Sequence, residues 1–316
     1  MGKKENSFTM TGRTGTSVVL NGKTYLYFAG TSYFQLHSHP AVIKAAIEAT
    51  QQYGIGTATT RALTGTTPLL REMELKLAEF FETEDAVYLP SGYLCSVAGL
   101  KALDEMGKYE LIFLDEGSHY SLVEGTAATG KRVITFRNRD PQDLARKMKK
   151  HLGPGERPLV ASDGLFPVLG NLAPVRDYLS LLDEYDGVLW IDDAHGVGIL
   201  GAHGWGSCEA LGIPFHRIYL GATLSKAFGA YGGIIVGDAE FIQKVRSGSV
   251  LTGSSAPMNT AVAAGIKGLE LVRGNSNLRA SLWNIAQYLR EGLQHMGIPV
   301  EALYIPEKHG TVPIFS

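Results

Sequence analysis

Cysteine is scarce in this chain of 316 residues: only Cys95 and Cys208 occur. Two are too few for a disulfide framework, and without a CxxC pair or a His-rich tract they do not form a zinc pattern either. Both are expected to be reduced and structural. Charge of one sign is missing as well, since 29 basic residues stand against 31 acidic ones for a net charge of -2. No block of like charges offers a footprint for nucleic acid or an anionic membrane. Apolar runs stay short, and none reaches the roughly 18 residues that a spanning helix needs. The opening MGKKENSFTM lacks the apolar core of a secretory signal, so a cytoplasmic location is expected. Repeats and low-complexity linkers are absent. The partners left by these exclusions are small molecules.

Hydrophobic residues make up 45% of the chain, enough for a substantial core. Short apolar runs alternate with segments whose apolar residues fall three and four apart, the pattern of a mostly parallel sheet wrapped by helices. Strands are predicted at Ala86 to Leu89, Leu111 to Leu114, Val133 to Phe136, Leu159 to Ser162, Val188 to Asp192, Ile218 to Gly221 and Gly233 to Val236. Helical periodicity marks Leu69 to Phe81, Tyr93 to Leu103, Pro141 to His151 and Val175 to Tyr185. The fold class is α/β. Near the start, Asn21-Gly22 between alternating segments predicts a tight hairpin from Ser17 to Phe28. After Pro257 come two long helical patterns, Asn259 to Val272 and Leu278 to Met296, then strand-like stretches at Val300 to Ile305 and Pro313 to Ser316. The expected organisation is an N-terminal arm over 1–38, a large domain over 39–272, and the start of a C-terminal small domain over 273–316, left unfinished.

Chemistry concentrates at strand ends, where open α/β sheets bind ligands. The strand from Val188 ends in Asp192-Asp193-Ala194-His195. A carboxylate there can pair with a protonated ring nitrogen, as pyridoxal chemistry requires, and His195 can donate to the same ligand's phenolate oxygen. The alternative is a helix-capping Asp beside a surface His. Lys226 lies 34 residues after Asp192, just past another strand and among small residues that leave an amine accessible and partly desolvated for imine formation. Thr223 and Ser225 offer hydroxyls to a phosphate, while Gly229 and Gly232-Gly233 permit close backbone approach. Ser91-Gly92-Tyr93-Leu94 follows a strand and opens a helix, presenting free backbone N–H groups to an anion. His119, past a further strand end, could stack on a pyridine ring and act on the substrate's acid group, or simply cap a helix.

Taken together, Ser118-His-Tyr-Ser-Leu122, Asp192-Asp-Ala-His-Gly196, Gly206-Ser-Cys208 and Thr223-Leu-Ser-Lys-Ala-Phe-Gly229 resemble the α-oxoamine synthases among fold type I pyridoxal-phosphate enzymes. That family includes 8-amino-7-oxononanoate synthase, 2-amino-3-ketobutyrate CoA ligase, 5-aminolevulinate synthase and serine palmitoyltransferase, and the likeness runs from about Thr11 to the end. It implies pyridoxal 5'-phosphate as cofactor, with Lys226 as the Schiff-base lysine and Asp192 as the pyridinium partner. His195 becomes the phenolate donor and His119 the stacking residue. Thr223 and the backbone of Tyr93 and Leu94 become phosphate ligands, and Thr252 reaches the phosphate from a partner subunit. The implied reaction condenses an amino acid with an acyl-CoA and loses carbon dioxide, in a homodimer with active sites at the interface.

The sequence departs from that pattern at several points. Thr31 or Ser32 stands where the family usually has Asn before Tyr33, and Gly56 to Gly65 around Arg61 is divergent. Asp163 fits a position for Asp or Glu, but Pro167 replaces a usual Ser and Leu169 a usual Asp. The C-terminal arginine that holds a substrate carboxylate in the family has no counterpart here. Two other readings therefore stand beside the synthase: a fold type I aminotransferase, and a catalytically weak paralogue that binds the cofactor.

Overall fold

The computed structural model describes residues 8–168, 170–298 and 314. Its centre is a seven-stranded sheet in the order Asp85–Leu89, Gly233–Gly237, Tyr219–Thr223, Val188–Asp192, Pro158–Asp163, Leu111–Asp115 and Val133–Phe136. The seven strands predicted from Ala86 to Val236 are all there, with ends displaced by no more than two residues. Gly233–Gly237 runs antiparallel to both of its neighbours and the other pairings are parallel. All residues of Leu111–Asp115 and Pro158–Asp163 are buried, because helices cover both faces of a parallel sheet and leave no wet side.

Alternate residues of each strand feed two separate cores. Tyr88, Phe113, Ile191, Leu220 and Ile234 pack on one face, and Val87, Ile112, Trp190 and Ile235 on the other. Trp190 is accommodated by two glycines: a Cβ on Gly99 would lie 2.1 Å from its ring, and one on Gly221 would lie 2.8 Å away. Parallel strands necessarily finish at one edge of the sheet. Asp115, Asp163, Asp192 and Thr223 thus come together there from four adjacent strands.

The helices Pro68–Phe81 and Pro141–His151 start as their sequences predict, each with Pro in the first turn and a side-chain cap from Thr67 or Asp140. Neither helix Pro40–Tyr53 nor helix Tyr120–Ala127 stood out by periodicity, but a helix start at His119 was one of the two readings of that residue. Both are capped by a histidine ring, His39 Nδ1 accepting from Ala41 N–H and His119 Nδ1 from Ser121 N–H, each at 3.2 Å. Histidine is not among the ordinary capping residues, so the usual start signal is missing.

The predicted hairpin forms, Ser17–Leu20 pairing with Lys23–Leu26 across Asn21 and Gly22, both at positive φ. The chain then passes through residues 31–38 toward the carboxyl edge of the sheet. At the other end, the two helices expected after Pro257 form as Asn259–Gly274 and Ser276–His295. The second of these helices is pinned by Trp283 Nε1–H to the Ile199 carbonyl and by Arg279 to the Ala202 carbonyl, both 2.7 Å. The strand-like stretches at Val300 to Ile305 and Pro313 to Ser316 lie outside the described residues, apart from Ile314, which packs against the core.

A buried ionic network ties the first helix after residue 67 to the sheet. Glu74 receives Arg61 at 2.7 Å, Arg246 at 3.4 Å and the Tyr88 N–H at 3.0 Å, while Arg246 also holds Asp85. Removing one member of such a network strands the others in low dielectric. Glu74→Ala is therefore expected to lower the free energy of unfolding by about 3–5 kcal/mol, measured by urea denaturation. A loss below about 1 kcal/mol would show the network to be dispensable.

Candidate active site

The four groups at the sheet edge are not equivalent. Asp115 is saturated: it accepts from Gly117 N–H (2.9 Å), Asn138 Nδ2 (2.7 Å), Arg139 N–H (2.9 Å) and Tyr178 OH (3.0 Å). That makes it a structural carboxylate. Asp192 has only two longer contacts, from Ser121 Oγ at 3.3 Å and Ala194 N–H at 3.2 Å, and the rest of it faces a pocket of about 260 Å³. Burial raises its pKa, opposed by the Lys226 charge, the Ala194 N–H, His119 and Ser121. Asp163 sits beside it in register on the next strand. Burial first, and the Asp192 charge second, push Asp163 well above the usual carboxylate range. Two adjacent carboxyls cannot both ionise cheaply, and the greater share of donors and of the lysine's field falls on Asp192. Asp163 is then the neutral partner, and it accepts the His119 backbone N–H at 3.2–3.3 Å.

Lys226 enters the same pocket from the loop after Tyr219–Thr223. Burial lowers its pKa, and the Asp192 charge is the first of the influences that pull it back up through space. A lysine in that balance retains more free amine at neutral pH than a solvated one, which is what a nucleophile toward an aldehyde needs. His195 forms another wall. Burial drives its pKa down to about 3, so the ring is neutral. Its Nδ1 lies 2.9 Å from Tyr33 OH, and burial keeps that phenol protonated. With the phenol as donor to Nδ1, Nε2 is the protonated nitrogen.

His119 caps helix Tyr120–Ala127 and lines the pocket. Its Nδ1 accepts from Ser121 N–H and lies 2.8 Å from Ser121 Oγ, again leaving Nε2–H as the free donor. Tyr93 stands edge-on to the ring, with centroids 6.2 Å apart. At the opposite end Ser91, Gly92, Tyr93, Thr223 and Ser225 surround the opening turn of helix Tyr93–Glu105. Gly92 cannot be anything larger, since a Cβ there would lie 2.6 Å from Thr223 Cβ. Backbone and hydroxyl donors are brought together where the helix dipole favours an anion.

Nine of the residues predicted from the sequence thus share one pocket: Ser91, Gly92, Tyr93, His119, Asp192, His195, Thr223, Ser225 and Lys226. Leu94 does not line it, because its N–H turns back onto the Ser91 carbonyl at 3.1 Å. Thr252 lies outside the pocket too, in helix Ser249–Thr252, with its hydroxyl on the Gly248 carbonyl at 3.1 Å. Position Leu169 falls outside the described residues. Sequence reasoning overlooked Tyr231, Leu165 and Ala194 as walls. It also gave Ser121 no role, although the hydroxyl spacing two residues after His119 was a usable signal. The donor set fits pyridoxal 5'-phosphate: a carboxylate with an open side for a ring nitrogen, an accessible lysine, a neutral imidazole donor and a phosphate cradle.

Asp193 points away, into the protein. Its Oδ2 accepts Ser207 N–H at 2.7 Å, and Gly164, Gly196 and Gly206 crowd it so closely that a Cβ on any of them would fall within 2.7 Å of its oxygens. Burial raises its pKa to about 7. The folded pKa therefore exceeds the unfolded one. The resulting stability is fully present below the unfolded value near 4 and is lost as pH rises through about 7. Asp193→Asn is expected to flatten the stability profile between about pH 4 and pH 7 in urea titrations. A variant with the wild-type slope would mean that Asp193 is ionised throughout.

Comparison with known proteins agrees with this geometry. Residues 28–311 match the aminotransferase class I and II family. A putative 8-amino-7-oxononanoate synthase of Rippkaea orientalis is 32% identical over 287 residues, covering 90% of this chain and 74% of the relative. The serine palmitoyltransferase of Sphingobacterium spiritivorum is 31% identical over 301 residues, covering 95% and 74%. Among solved structures, SPT with PLP as internal aldimine superimposes with a TM-score of 0.87 at 26% identity, over 95% of this chain and 75% of that one. Sequence, fold and strand-end chemistry agree that the chain belongs to the aminotransferase class I and II family and, within it, to the α-oxoamine synthases.

Proposed function

We propose that this chain is a pyridoxal 5'-phosphate-dependent acyltransferase that joins a small amino acid to the acyl group of an acyl-CoA and releases carbon dioxide and CoA. The observation that carries the reading is the single pocket in which a lysine of lowered pKa faces the open side of a buried carboxylate. When bound, the cofactor supplies an electron sink for the pair of electrons left on the substrate's α-carbon.

The chain's own groups do the rest. Lys226 Nζ is the point of attachment and, once displaced by the amino acid, the base that takes the α-proton. Asp192 stays ionised and keeps a proton on the ring nitrogen, which is what makes the sink effective. His195 donates Nε2–H to the ring oxygen, and Tyr33 holds it in that tautomer. His119, a wall of the pocket, would stack on the cofactor's ring, with its own Nε2–H free for the substrate's carboxylate. Gly92, Tyr93, Thr223 and Ser225 hold the phosphate at the helix start. The new carbon–carbon bond forms as the CoA thiolate leaves the acyl carbonyl; the bond to the carboxylate then breaks, and the α-carbon takes up a proton from Lys226 Nζ.

The reading also takes the enzyme to be a cytoplasmic homodimer. An apolar strip formed by Ile43, Ala46, Met258 and Tyr231 borders the Lys226 loop, and Met258 and Tyr231 are 53% and 61% exposed. That strip is a suitable surface for a second copy, and Thr252 would then be the residue that crosses to the other phosphate site. Among the described residues no helix is long and apolar enough to cross a membrane.

A panel of Gly, Ala and Ser against short and long acyl-CoAs, followed by thiol release, tests the reaction. At least one pair should release CoA and carbon dioxide together, with alanine and an 8-amino-7-oxononanoate synthase-like acyl chain the leading combination. Transamination of a 2-oxo acid without CoA release would identify an aminotransferase instead. Borohydride should fix the cofactor to wild-type protein and not to Lys226→Ala.

A further inference from the structure

The loop that carries Lys226 is closed mostly on itself. Gly229 N–H reaches the Lys226 carbonyl at 3.2 Å, Ala230 N–H the Leu224 carbonyl at 3.1 Å, and Leu224 N–H the Gly232 carbonyl at 3.0 Å. The Ser225 carbonyl, in the peptide that leads into Lys226, is bound from outside instead. His37 Nε2 lies 2.9 Å from it. A carbonyl oxygen only accepts, so Nε2 carries the proton, and Nδ1 of the neutral ring takes the Ser32 hydroxyl at 2.5 Å.

The surrounding packing supports this contact. Gly229, at φ +62°, lies so close to the arm that a Cβ would fall 2.3 Å from Leu36 Cβ and 2.5 Å from the His37 nitrogen. Gln35 holds the left-handed conformation, φ 57°, at the entrance to the short turn Leu36–Ser38, a strained shape kept only where its surroundings fix it. One residue after Ser32, Tyr33 reaches His195. A single stretch of six residues therefore touches two walls of the pocket.

We propose that His37 is a positioning residue for Lys226: by donating to the Ser225 carbonyl, with Ser32 behind it, it fixes the plane of the Ser225–Lys226 peptide and so the direction in which the lysine leaves the backbone. The planar peptide makes this coupling direct, because holding one carbonyl fixes the orientation of the next residue's N–H and Cα. The proposal rests on the reading that Lys226 bears the cofactor.

The test compares full-length wild-type protein with His37→Ala and His37→Gln, the latter keeping an N–H donor. Two quantities are read: amide hydrogen exchange over residues 224–230 after the cofactor is stripped, and the rate at which visible absorbance grows when pyridoxal 5'-phosphate is added back. His37→Ala should raise exchange and slow attachment by about two- to tenfold, the range of one net hydrogen bond, while borohydride still fixes the adduct on Lys226. His37→Gln should recover part of both. Unchanged exchange and rate in His37→Ala, or a Gln variant no better than Ala at equal melting temperature, would overturn the proposal. If His37→Ala fails to fold, Ser32→Ala carries the same comparison, with a smaller increase in exchange expected and no increase counting against it. A wild-type protein that fixes no cofactor would sink the functional reading alone, since the exchange measurement needs no cofactor.

Discussion

The site depends on sorting four buried carboxyl groups at one sheet edge so that a single ionised one faces the pocket. Parallel strands deliver Asp115, Asp163 and Asp192 side by side, and Asp193 follows directly. Four carboxylates in so dry a place would repel one another severely. The chain resolves this by giving each a different set of donors. Asp115 is enclosed by four hydrogen bonds. Burial favours the neutral form of Asp163 and Asp193. Asp192 keeps few donors and an open side, and the charge that most favours its ionised form is that of Lys226. The same desolvation that would drive Asp192 neutral also lowers the lysine, so each stabilises the charged form of the other. A ligand bringing a protonated ring nitrogen completes this balance rather than disturbing it.

Much of this was legible in the sequence because the strands are short, apolar and end abruptly in polar residues. Val188–Asp192 illustrates the point: four apolar residues followed by two carboxylates leave little choice about where the strand stops or where its last side chains lie. The pocket walls supplied by Asp192, His195, Thr223 and Lys226 follow from that arithmetic. The phosphate cradle was legible for the same reason, a strand running through a Ser-Gly pair into a helix. Leu94 could not be judged this way, since only the three-dimensional turn reveals that its N–H bends back to Ser91.

What the sequence concealed was contact between distant segments. Tyr33 and His195 are 162 residues apart, and His37 and Ser225 are 188 apart. No local periodicity encodes such pairs. The arm was readable as a hairpin, yet its functional part is the irregular stretch after the hairpin, where neither strand nor helix patterning operates. A histidine cap hid helix Pro40–Tyr53 in the same way, because a ring nitrogen accepting a backbone N–H has no short sequence signature. Ser121 belongs to this class in part: its spacing from His119 is local, but its hydroxyl also reaches Asp192 Oδ2, a contact that exists only once the strands are side by side.

The three histidines around the lysine then show a common logic. In each the Nδ1 atom faces a donor supplied by the protein: Ser32 Oγ for His37, the Ser121 N–H for His119, and Tyr33 OH for His195. Each ring is thereby held with its proton on Nε2, before any ligand arrives. Burial lowers the pKa of His37 and His195, which keeps those two from becoming cations that would compete with Lys226 for Asp192. A neutral imidazole with one fixed N–H contributes direction without adding charge, and direction is what remains to be set once the carboxylates have been sorted. The donors that fix His37 and His195 both come from Ser32 and Tyr33, adjacent residues of an arm that contributes no strand to the main sheet. The sheet edge therefore supplies the charges, and the arm sets the orientation of the groups around them.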